Sequence, residues 1–458
     1  MVGQMMGRTC GTGKGAKALT RRVCAALSAL AVMAAGAGGA RADTAYGCGD
    51  LLTSSLVPSV EGADGTFFRV DPDLMSYHWI GAQSMTLLGQ LSDRLAEHGT
   101  QLIYVPVPTK ALAMLGHLPA IAADLGFDAE IAASVYVEML DRLDRAGVRA
   151  IDARTVLRMA EETGHMPFFG TDPRLTPAGT EALGRAIAAE LRQLGVSDAD
   201  GAAGFRVQSR GEVDLPSPLR TKLQTHCLSD LPPVRLPVLE TTRGVVAASA
   251  TLDGAVAQPP VVIVGSEIAV DPALALSGFA SAYARVETAG IMVPGEDRHE
   301  DAFGAISSYM SSAAFDIDPP KVLVWVNPVW LHLDRRGSRP LLELIALAGR
   351  RCVTDLSTSP IDGGGLTASL TGDLPRGVSH AALLLDSGGP AIGRVEFRFT
   401  SADGETRRRI VERHPDQEPT ARVAMPLAGM WPEGAMRIDI LGDVPLTARP
   451  RLSLCEEI

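Results

Sequence analysis

The chain has 458 residues, 46% of them hydrophobic, and carries 42 basic against 53 acidic residues, a formal charge of −11 at pH 7. This length exceeds what one ordinary hydrophobic core supports and predicts two domains. The acidic balance argues against nucleic acid as a partner, because phosphate contacts need concentrated Lys and Arg. It also disfavours an anionic polymer unless a local basic cleft overrides the overall field.

The first 42 residues are typical of a cleavable secretory signal peptide. A basic start without acidic residues runs to Arg22, residues 23–40 are apolar and small, and Ala40-Arg41-Ala42 is a small-x-small cleavage site. A retained anchor is the alternative, which we favour less because the apolar stretch is rich in Ala and Gly. Cleavage leaves 36 basic against 53 acidic residues, a charge of −17. We therefore predict export to a bacterial periplasm, with no membrane span after cleavage.

Four cysteines follow the signal: Cys48, Cys227, Cys352 and Cys455. An even number in an exported protein favours two disulfides. Three pairings are possible, and Cys48–Cys227 with Cys352–Cys455 is the economical one, since each bridge then closes its own domain. Because no Cys-x-x-Cys spacing occurs, we expect no metal site, and we expect no cofactor.

The first part of the mature chain alternates strand and helix patterns. Residues 66–70 are predicted as a strand, 81–98 as a helix that Gly99 ends, and 102–105 as a buried strand followed by a loop at 106–110. A helix at 130–146 and a short strand at 148–152 come next. A further helix runs from Pro177 to about Leu194, with Thr176 as its N-cap.

Residues 196–245 are poorly periodic and rich in proline, which predicts an insertion or long loop held by Cys227. The alternation resumes with a continuous apolar strand at 261–264, a helix at 300–314 and a buried strand at 321–326. This order predicts an α/β domain at 43–350, with a parallel sheet covered on both faces.

After Cys352 the helical periodicity ends. Short alternating runs, separated by Gly, Asp and Pro turns, occupy residues 381–385, 394–400, 408–412, 421–426 and 436–440. This pattern predicts a β-sandwich domain at 351–458.

Four segments carry a resemblance to a known family. They are EGADGTFFR (61–69), VPVPTKA (105–111), FFGTDPRLTPAG (168–179) and VIVGSEIA (262–269). In this order, and with the four cysteines and the length, they resemble the periplasmic alginate O-acetyltransferase family of the AlgX/AlgJ type. The resemblance implies an SGNH-hydrolase-like α/β domain followed by a carbohydrate-binding module. It implies acetyl transfer to an extracellular polysaccharide by a Ser–His–Asp triad, alongside other polysaccharide modification or secretion proteins.

The triad pattern of that family is broken in this sequence. Asp172 matches the triad aspartate, but Arg174 stands at the histidine position and Glu267 at the nucleophile position, directly after Ser266. Arginine stays protonated and cannot act as a base. We expect Arg174 and Glu267 to form a charge-assisted pair where serine and histidine would meet.

Two residues could rescue catalysis. Ser266 could act as nucleophile after a shift of one residue, although such a shift turns a strand side chain to the opposite face. His165 could supply a base. The favoured prediction is a catalytically eroded pseudoenzyme that binds polysaccharide within a secretion or modification complex. The alternative is a working O-acetyltransferase or esterase that uses rearranged residues.

Several other side chains are candidates for ligand binding. Lys110 could offer positive charge at the cleft or be merely solvated, and Trp330 could stack on a sugar ring, whereas Trp325 is expected in the core. Arg394 and Arg398 belong to a basic stretch, continued at 407–409, that could hold an acidic glycan or form a solvated face. His78 and Trp79 are expected to pack before the first helix, and His117 and His299 to lie in loops.

Overall fold

The computed structural model describes residues 44–197, 204–243, 258–293, 302–349, 352–370, 381–413, 420–427, 435–447 and 449–456. The predicted signal peptide at 1–42 and His299 lie outside these ranges. Within them, no helix combines the length and the apolar character needed to cross a membrane.

The predicted alternation of strands and helices in the first domain is confirmed. Its strands are β1 (Ser59–Glu61), β2 (Phe67–Arg69), β3 (Gln101–Val107), β4 (Arg149–Ala150), β5 (Phe205–Leu215), β6 (Val234–Arg243), β7 (Val261–Ser266), β8 (Thr288–Val293) and β9 (Val322–Pro328). Its helices are α1 (Ala82–Glu97), α2 (Lys110–Ala113), α3 (Ala129–Arg145), α4 (Ala153–Glu162), α5 (Pro177–Gln193), α6 (Pro218–Gln224), α7 (Glu267–Val270), α8 (Leu276–Ala284), α9 (Gly304–Met310), α10 (Ala313–Ile317) and α11 (Arg339–Gly349).

A five-stranded parallel sheet, in the order β4-β3-β9-β7-β8, forms the centre of this domain. Hydrophobic clusters cover both of its faces, which explains why the central strands are continuous apolar runs. Gly265 of β7 lies very close to β9: a Cβ there would be 2.5 Å from the carbonyl oxygen of Val326. The end of β7 therefore requires glycine.

Serine and threonine side chains fix several helix ends. Thr176 accepts a hydrogen bond from the Gly179 amide at 3.1 Å, which confirms the predicted cap of α5. The predicted helix at 300–314 is divided into α9 and α10. Ser311 donates to the Ser307 carbonyl, and Ser312 caps α10 by accepting from the Phe315 amide. These hydroxyls end one helix and start the next, because they compete for the backbone groups.

The poorly periodic segment contains an antiparallel ribbon of β5 and β6, with α6 between the two strands. Most side chains of β5 are exposed, so no alternation of apolar and polar residues marks it as a strand. The disulfide Cys48–Cys227 links this insertion to the beginning of the described chain. The insertion is therefore built from regular structure that the sequence pattern conceals.

The C-terminal domain contains two packed antiparallel sheets, as predicted. Its strands are β10 (Cys352–Asp355), β11 (Thr358–Ile361), β12 (Gly365–Ser369), β13 (Ala381–Asp386), β14 (Arg394–Thr400), β15 (Thr406–Glu412), β16 (Arg422–Pro426), β17 (Arg437–Gly442) and β18 (Arg451–Glu456). The sheet orders are β10-β18-β13-β16 and β11-β12-β17-β14-β15, with an apolar core between them. The second predicted disulfide, Cys352–Cys455, joins β10 to β18.

Helix α11 connects the two domains through packing. Its apolar residues share a hydrophobic cluster with Ala382 and Ala424 of the C-terminal domain. Glu343 of α11 also accepts a hydrogen bond from Arg413 Nη2 at 2.7 Å, and both side chains are buried. The two domains therefore have a continuous interface with a buried ion pair in it.

Candidate functional site

The C-terminal ends of the three central strands bring the sequence candidates to one edge of the sheet. Lys110 follows β3, Trp330 follows β9, and Ser266 and Glu267 stand where β7 passes into α7. Parallel sheets bind ligands at this edge, outside the carboxyl ends of their strands. The edge is thus the natural place for a site.

The segment that carries Asp172 and Arg174 is a tight hairpin next to α7. Phe168 and Leu175 form an antiparallel bridge at its base, and the Phe169 amide donates to the Arg174 carbonyl at 3.2 Å. The Leu175 amide donates to the Ile268 carbonyl at 2.9 Å. This bond sets the backbone of Arg174 beside that of Glu267, so the two positions are neighbours in the fold.

Arg174 is held by the carboxylate of Asp172. Its Nε donates to Asp172 Oδ1 at 2.8 Å and its Nη2 donates to Oδ2 at 3.0 Å. The Arg174 amide also donates to Oδ1 at 2.9 Å. Both side chains are buried, with only 1% of Asp172 and 6% of Arg174 exposed. This is a bidentate, desolvated pair of the strong type.

Two further groups fix the guanidinium from the other side. Arg174 Nη2 donates to the Pro216 carbonyl at 2.6 Å, and Nη1 lies 3.5 Å from Asp271 Oδ2. Ser217, the next residue of the insertion, forms a side-chain hydrogen bond with Asp172. These partners could not be predicted, because the insertion and the residues after α7 carry no motif that indicates a site.

The surroundings of Asp172 and Arg174 favour the ionised form of both side chains. Burial alone would raise the pKa of Asp172, but the hydrogen bonds and charge of Arg174, with the Ser217 hydroxyl, outweigh it and lower that pKa. Burial alone would lower the pKa of Arg174, but Asp172, Glu267 and Asp271 raise it. The pair is therefore ionised throughout the neutral range.

The bidentate partner of Arg174 is Asp172 and not Glu267, the residue that was expected to form a charge-assisted pair with it. Asp172 takes that role, because it lies two residues away in the same hairpin and receives the backbone amide as well. Glu267 acts on Arg174 through its charge, which helps to raise the arginine pKa. Three carboxylates thus surround one guanidinium, at the position where the resemblance predicts histidine.

Neither rescue residue has a catalytic partner in the described structure. The Ser266 hydroxyl oxygen is buried and forms no hydrogen bond with any described residue. His165 is exposed, and its charge acts on Glu181 of α5. A serine nucleophile needs a base within hydrogen-bond reach. This geometry does not supply one to Ser266.

Lys110 is a buried framework residue rather than an exposed charge. Its ammonium donates to the carbonyl oxygens of Phe67, Phe169 and Gly170 at 3.1, 2.8 and 3.3 Å. Burial lowers its pKa to about 8, although the charge of Asp73 opposes the shift. Lys110 therefore ties the Asp172 hairpin to β2, which differs from the expected role in ligand binding.

Trp330 is partly exposed at the end of β9, whereas Trp325 is fully buried, as expected. The Arg69 guanidinium lies 5.2 Å from the centre of the Trp330 ring, and Arg69 is itself paired with buried Asp73. The indole Nε1 of Trp330 is buried and has no hydrogen-bond partner among the described residues.

An exposed apolar row, which we call the aromatic row, comprises Met75, Tyr77 and Trp79. These side chains are 44, 58 and 65% exposed, while the alternate residues Leu74 and Ile80 are buried. The expectation that Trp79 packs before the first helix is therefore wrong.

The aromatic row lies along the segment that follows β9. His78, between Tyr77 and Trp79, stacks on His332 with ring centres 5.4 Å apart. The Gly81 amide donates to Asp334 Oδ2 at 2.7 Å. The segment that carries the row is thus attached to residues 332–334, which follow β9 and Trp330.

The basic stretch of the C-terminal domain is partly neutralised. Arg398 pairs with Glu396 at 3.0 Å, and Arg408, which faces Arg398 across the strands, approaches the same carboxylate at 3.6 Å. Arg394 is exposed on the same face of β14. Arg394 and Arg398 stay predictions as glycan contacts.

The parallel sheet with its site residues at the C-terminal strand ends, followed by an antiparallel β domain, defines the class of SGNH-hydrolase-like proteins with an added β domain. Residues 60–329 match the family described as "SGNH hydrolase-like domain, acetyltransferase AlgX". The chain belongs to this family.

Curated relatives agree with the family, and a solved structure shares the fold. The "Alginate biosynthesis protein AlgX" of Pseudomonas aeruginosa is 25% identical over 67% of this chain, which spans 65% of that relative. The "Probable alginate O-acetylase AlgJ" of Pseudomonas putida is 27% identical over 54% of this chain and 62% of its own length. The structure of Pseudomonas aeruginosa AlgX is similar in fold, with a TM-score of 0.71, 20% identity and coverage of 88% of this chain and 95% of that chain. The chain thus spans slightly less than two thirds of the length of the curated relatives that it matches.

Proposed function

We propose that this protein is a periplasmic component of exopolysaccharide O-acetylation that binds the polysaccharide and performs no acyl transfer itself. The observation that carries the proposal is the bidentate hydrogen bonding of Arg174 to Asp172. We further propose the division into a signal peptide at 1–42, the α/β domain at 43–350 and the β-sandwich at 351–458. The proposed partners are a polysaccharide and other modification or secretion proteins.

The contacts of Asp172 do not meet the requirements of a catalytic triad. Its carboxylate must accept a hydrogen bond from an imidazole that in turn takes the proton of serine. Here Arg174 uses both oxygens of Asp172, and three acidic side chains stabilise the arginine as a cation. A permanent cation at this position cannot accept a proton.

The aromatic row and Trp330 support the binding of a polysaccharide. Aromatic rings present large flat apolar faces, suited to the apolar faces of sugar rings, and exposing them to water is unfavourable without a ligand. Tyr77 and Trp79 are the most exposed aromatic side chains among the described residues. Their attachment to the segment that follows Trp330 supports a glycan path along this edge of the sheet.

One observation favours the alternative of a working acetyltransferase or esterase. The Ser266 hydroxyl forms no hydrogen bond with any described residue, and it stands one residue before the position that the resemblance assigns to the nucleophile.

Two measurements on the mature chain test the proposal. The first is turnover of a chromogenic acetyl ester, with and without a serine-reactive fluorophosphonate; we expect none. Turnover that the probe or Ser266→Ala abolishes would establish the enzymatic alternative instead. The second is titration with acetylated and unacetylated uronate oligosaccharides and with neutral glucan oligosaccharides; we expect binding to at least one. Absence of both turnover and binding would overturn the proposal.

A further inference from the structure

A cavity of about 350 Å³ lies at the interface between the two domains, remote in sequence from the Asp172 hairpin. We call it the interdomain cavity. Its polar lining comes from α9, α11 and the residues just before α11 on one side, and from the end of β15 and Arg413 on the other. The polar lining residues are Ser307, Arg336, Arg339, Glu343, Glu412 and Arg413. This volume is at the lower end of the range for small-molecule pockets.

The lining of this cavity carries a small excess of positive charge. Three arginines line it against two glutamates, and Arg409 directly precedes the lining residues Ile410 and Val411. Burial lowers the pKa of Arg409, and the positive charges of Arg339 and Arg407 lower it further. Arginines that repel one another in this way create a local positive field in an acidic protein.

Arg413 contributes a buried guanidinium to the cavity lining. Its side chain is buried, with the whole residue 8% exposed, and its Nη2 donates to Glu343 Oε1 at 2.7 Å. Its Nε is also buried and has no hydrogen-bond partner among the described residues. A buried guanidinium N–H without an acceptor is unfavourable, so Arg413 is not fully satisfied by Glu343 alone.

The beginning of α11 adds to the same field. This 11-residue helix starts at Arg339, and both Arg339 and Pro340 line the cavity. The first amides of a helix lack intrahelical partners and carry the positive end of the helix dipole, which favours an anion there.

We propose that the interdomain cavity binds a small molecule or sugar residue through an oxyanion, a carboxylate or a phosphate, held between Arg413 and Arg339 at the mouth. Exposed Arg336 and Arg339 leave the cavity open to solvent, while Glu343 keeps Arg413 in place. The ligand joins elements of both domains, so its binding stabilises their interface. This inference does not depend on the proposed loss of acyl transfer.

The test is calorimetric titration of the full mature chain at low ionic strength with inorganic phosphate, glucuronate and neutral glucose. We expect an anion to bind and glucose not to bind. Tighter binding of glucuronate than of phosphate would assign the site to an acidic sugar, and the reverse order to a free small anion. Failure of both anions to bind, or equal binding of glucose, would overturn the proposal.

Variants locate the binding. Arg339→Gln changes an exposed residue at the mouth, and Arg413→Lys keeps a positive charge beside Glu343 while removing the Nε donor. Each should weaken anion binding at least about tenfold, the effect of one lost charge-assisted contact. Arg437→Gln, an exposed arginine on β17 outside the cavity lining, is the matched control and should bind as the wild type does. Unchanged binding by both cavity variants, in chains whose thermal unfolding shows them folded, would contradict the assignment.

Discussion

Arg174 donates two parallel hydrogen bonds to Asp172, one from Nε and one from Nη2, and a third comes from its own backbone amide. The carboxylate is 1% exposed, so the pair has almost no contact with solvent. This relationship changes what the aspartate does. In a triad it would orient a base, whereas here it neutralises a buried cation that also binds the insertion through the Pro216 carbonyl.

Removing the guanidinium should destabilise the fold strongly. Arg174→Ala leaves the Asp172 charge buried without its partner, so we expect the free energy of unfolding to fall by about 3–5 kcal/mol. Urea denaturation of the mature chain measures this change. The control is Arg158→Ala, which removes a surface ion pair with Glu162 and should cost less than about 1 kcal/mol. A loss for Arg174→Ala no larger than that of the control would contradict the strength of the buried pair.

Stability should depend on Asp172 in acid. The folded-state pKa of Asp172 lies below its ordinary value of 3.8. The unfolded state therefore binds the proton more tightly, so the contribution is complete above the ordinary pKa and is lost as the pH falls through the folded one. We expect the stability difference between wild type and Asp172→Asn to be largest near neutral pH and to shrink below pH 4. Denaturation at a series of pH values measures it, and a difference that grows on acidification would refute the assignment.

If this chain has lost only the histidine and serine that the resemblance predicts, restoring both residues should restore esterase activity. The double change Arg174→His with Glu267→Ser places an imidazole beside Asp172 and a hydroxyl at the end of β7. We expect measurable hydrolysis of a chromogenic acetyl ester, which each single change lacks. Adding Asp172→Asn should reduce the regained kcat by up to about 10⁴-fold, since the ring then loses its orienting acceptor. An inactive but folded double variant would show that other parts of the site have diverged as well.

The aromatic row should carry part of the glycan affinity. Trp79→Ala removes a large exposed ring without leaving a cavity, so folding should be unaffected, while oligosaccharide binding weakens by about 1–2 kcal/mol, roughly 5- to 30-fold. Calorimetric titration of the oligosaccharide that binds the wild type best gives the comparison. Met159→Ala, which removes a side chain of similar exposure on α4, is the matched control. Equal affinities for wild type and Trp79→Ala would show that the aromatic row does not bind the glycan.

The sequence predicted those parts of the fold that local chemistry determines. Thr176 and Pro177 mark the start of α5, and the apolar run at 261–264 indicates a central strand, because each signal acts within a few residues. The ribbon of β5 and β6 could not be predicted, since most of β5 is exposed on both sides.

Within the site, the sequence predicted which residues take part, but it did not predict which groups they contact. Asp172 and Arg174 follow from a motif, but Asp271 and the Pro216 carbonyl reach the guanidinium only through tertiary structure. Lys110 shows the same limit: a lysine in a loop is usually solvated, and only the carbonyls of Phe67, Phe169 and Gly170, brought together by folding, bury it.

Strand β9 lies at the centre of the parallel sheet, yet it is the last strand of that sheet to be synthesised. In the described sheet, β3 pairs with β4 and β9, and β7 pairs with β8 and β9. The β3–β4 pair and the β7–β8 pair therefore form no hydrogen bonds with each other, and only residues 322–328 of β9 join them into one sheet. Until those residues are synthesised, the nascent chain presents two open apolar strand edges, which are prone to pair with other chains. Assembly of the edge that holds Lys110, Trp330 and Ser266 is thus a late folding event, and a chain that stops before residue 322 lacks the strand that joins its halves.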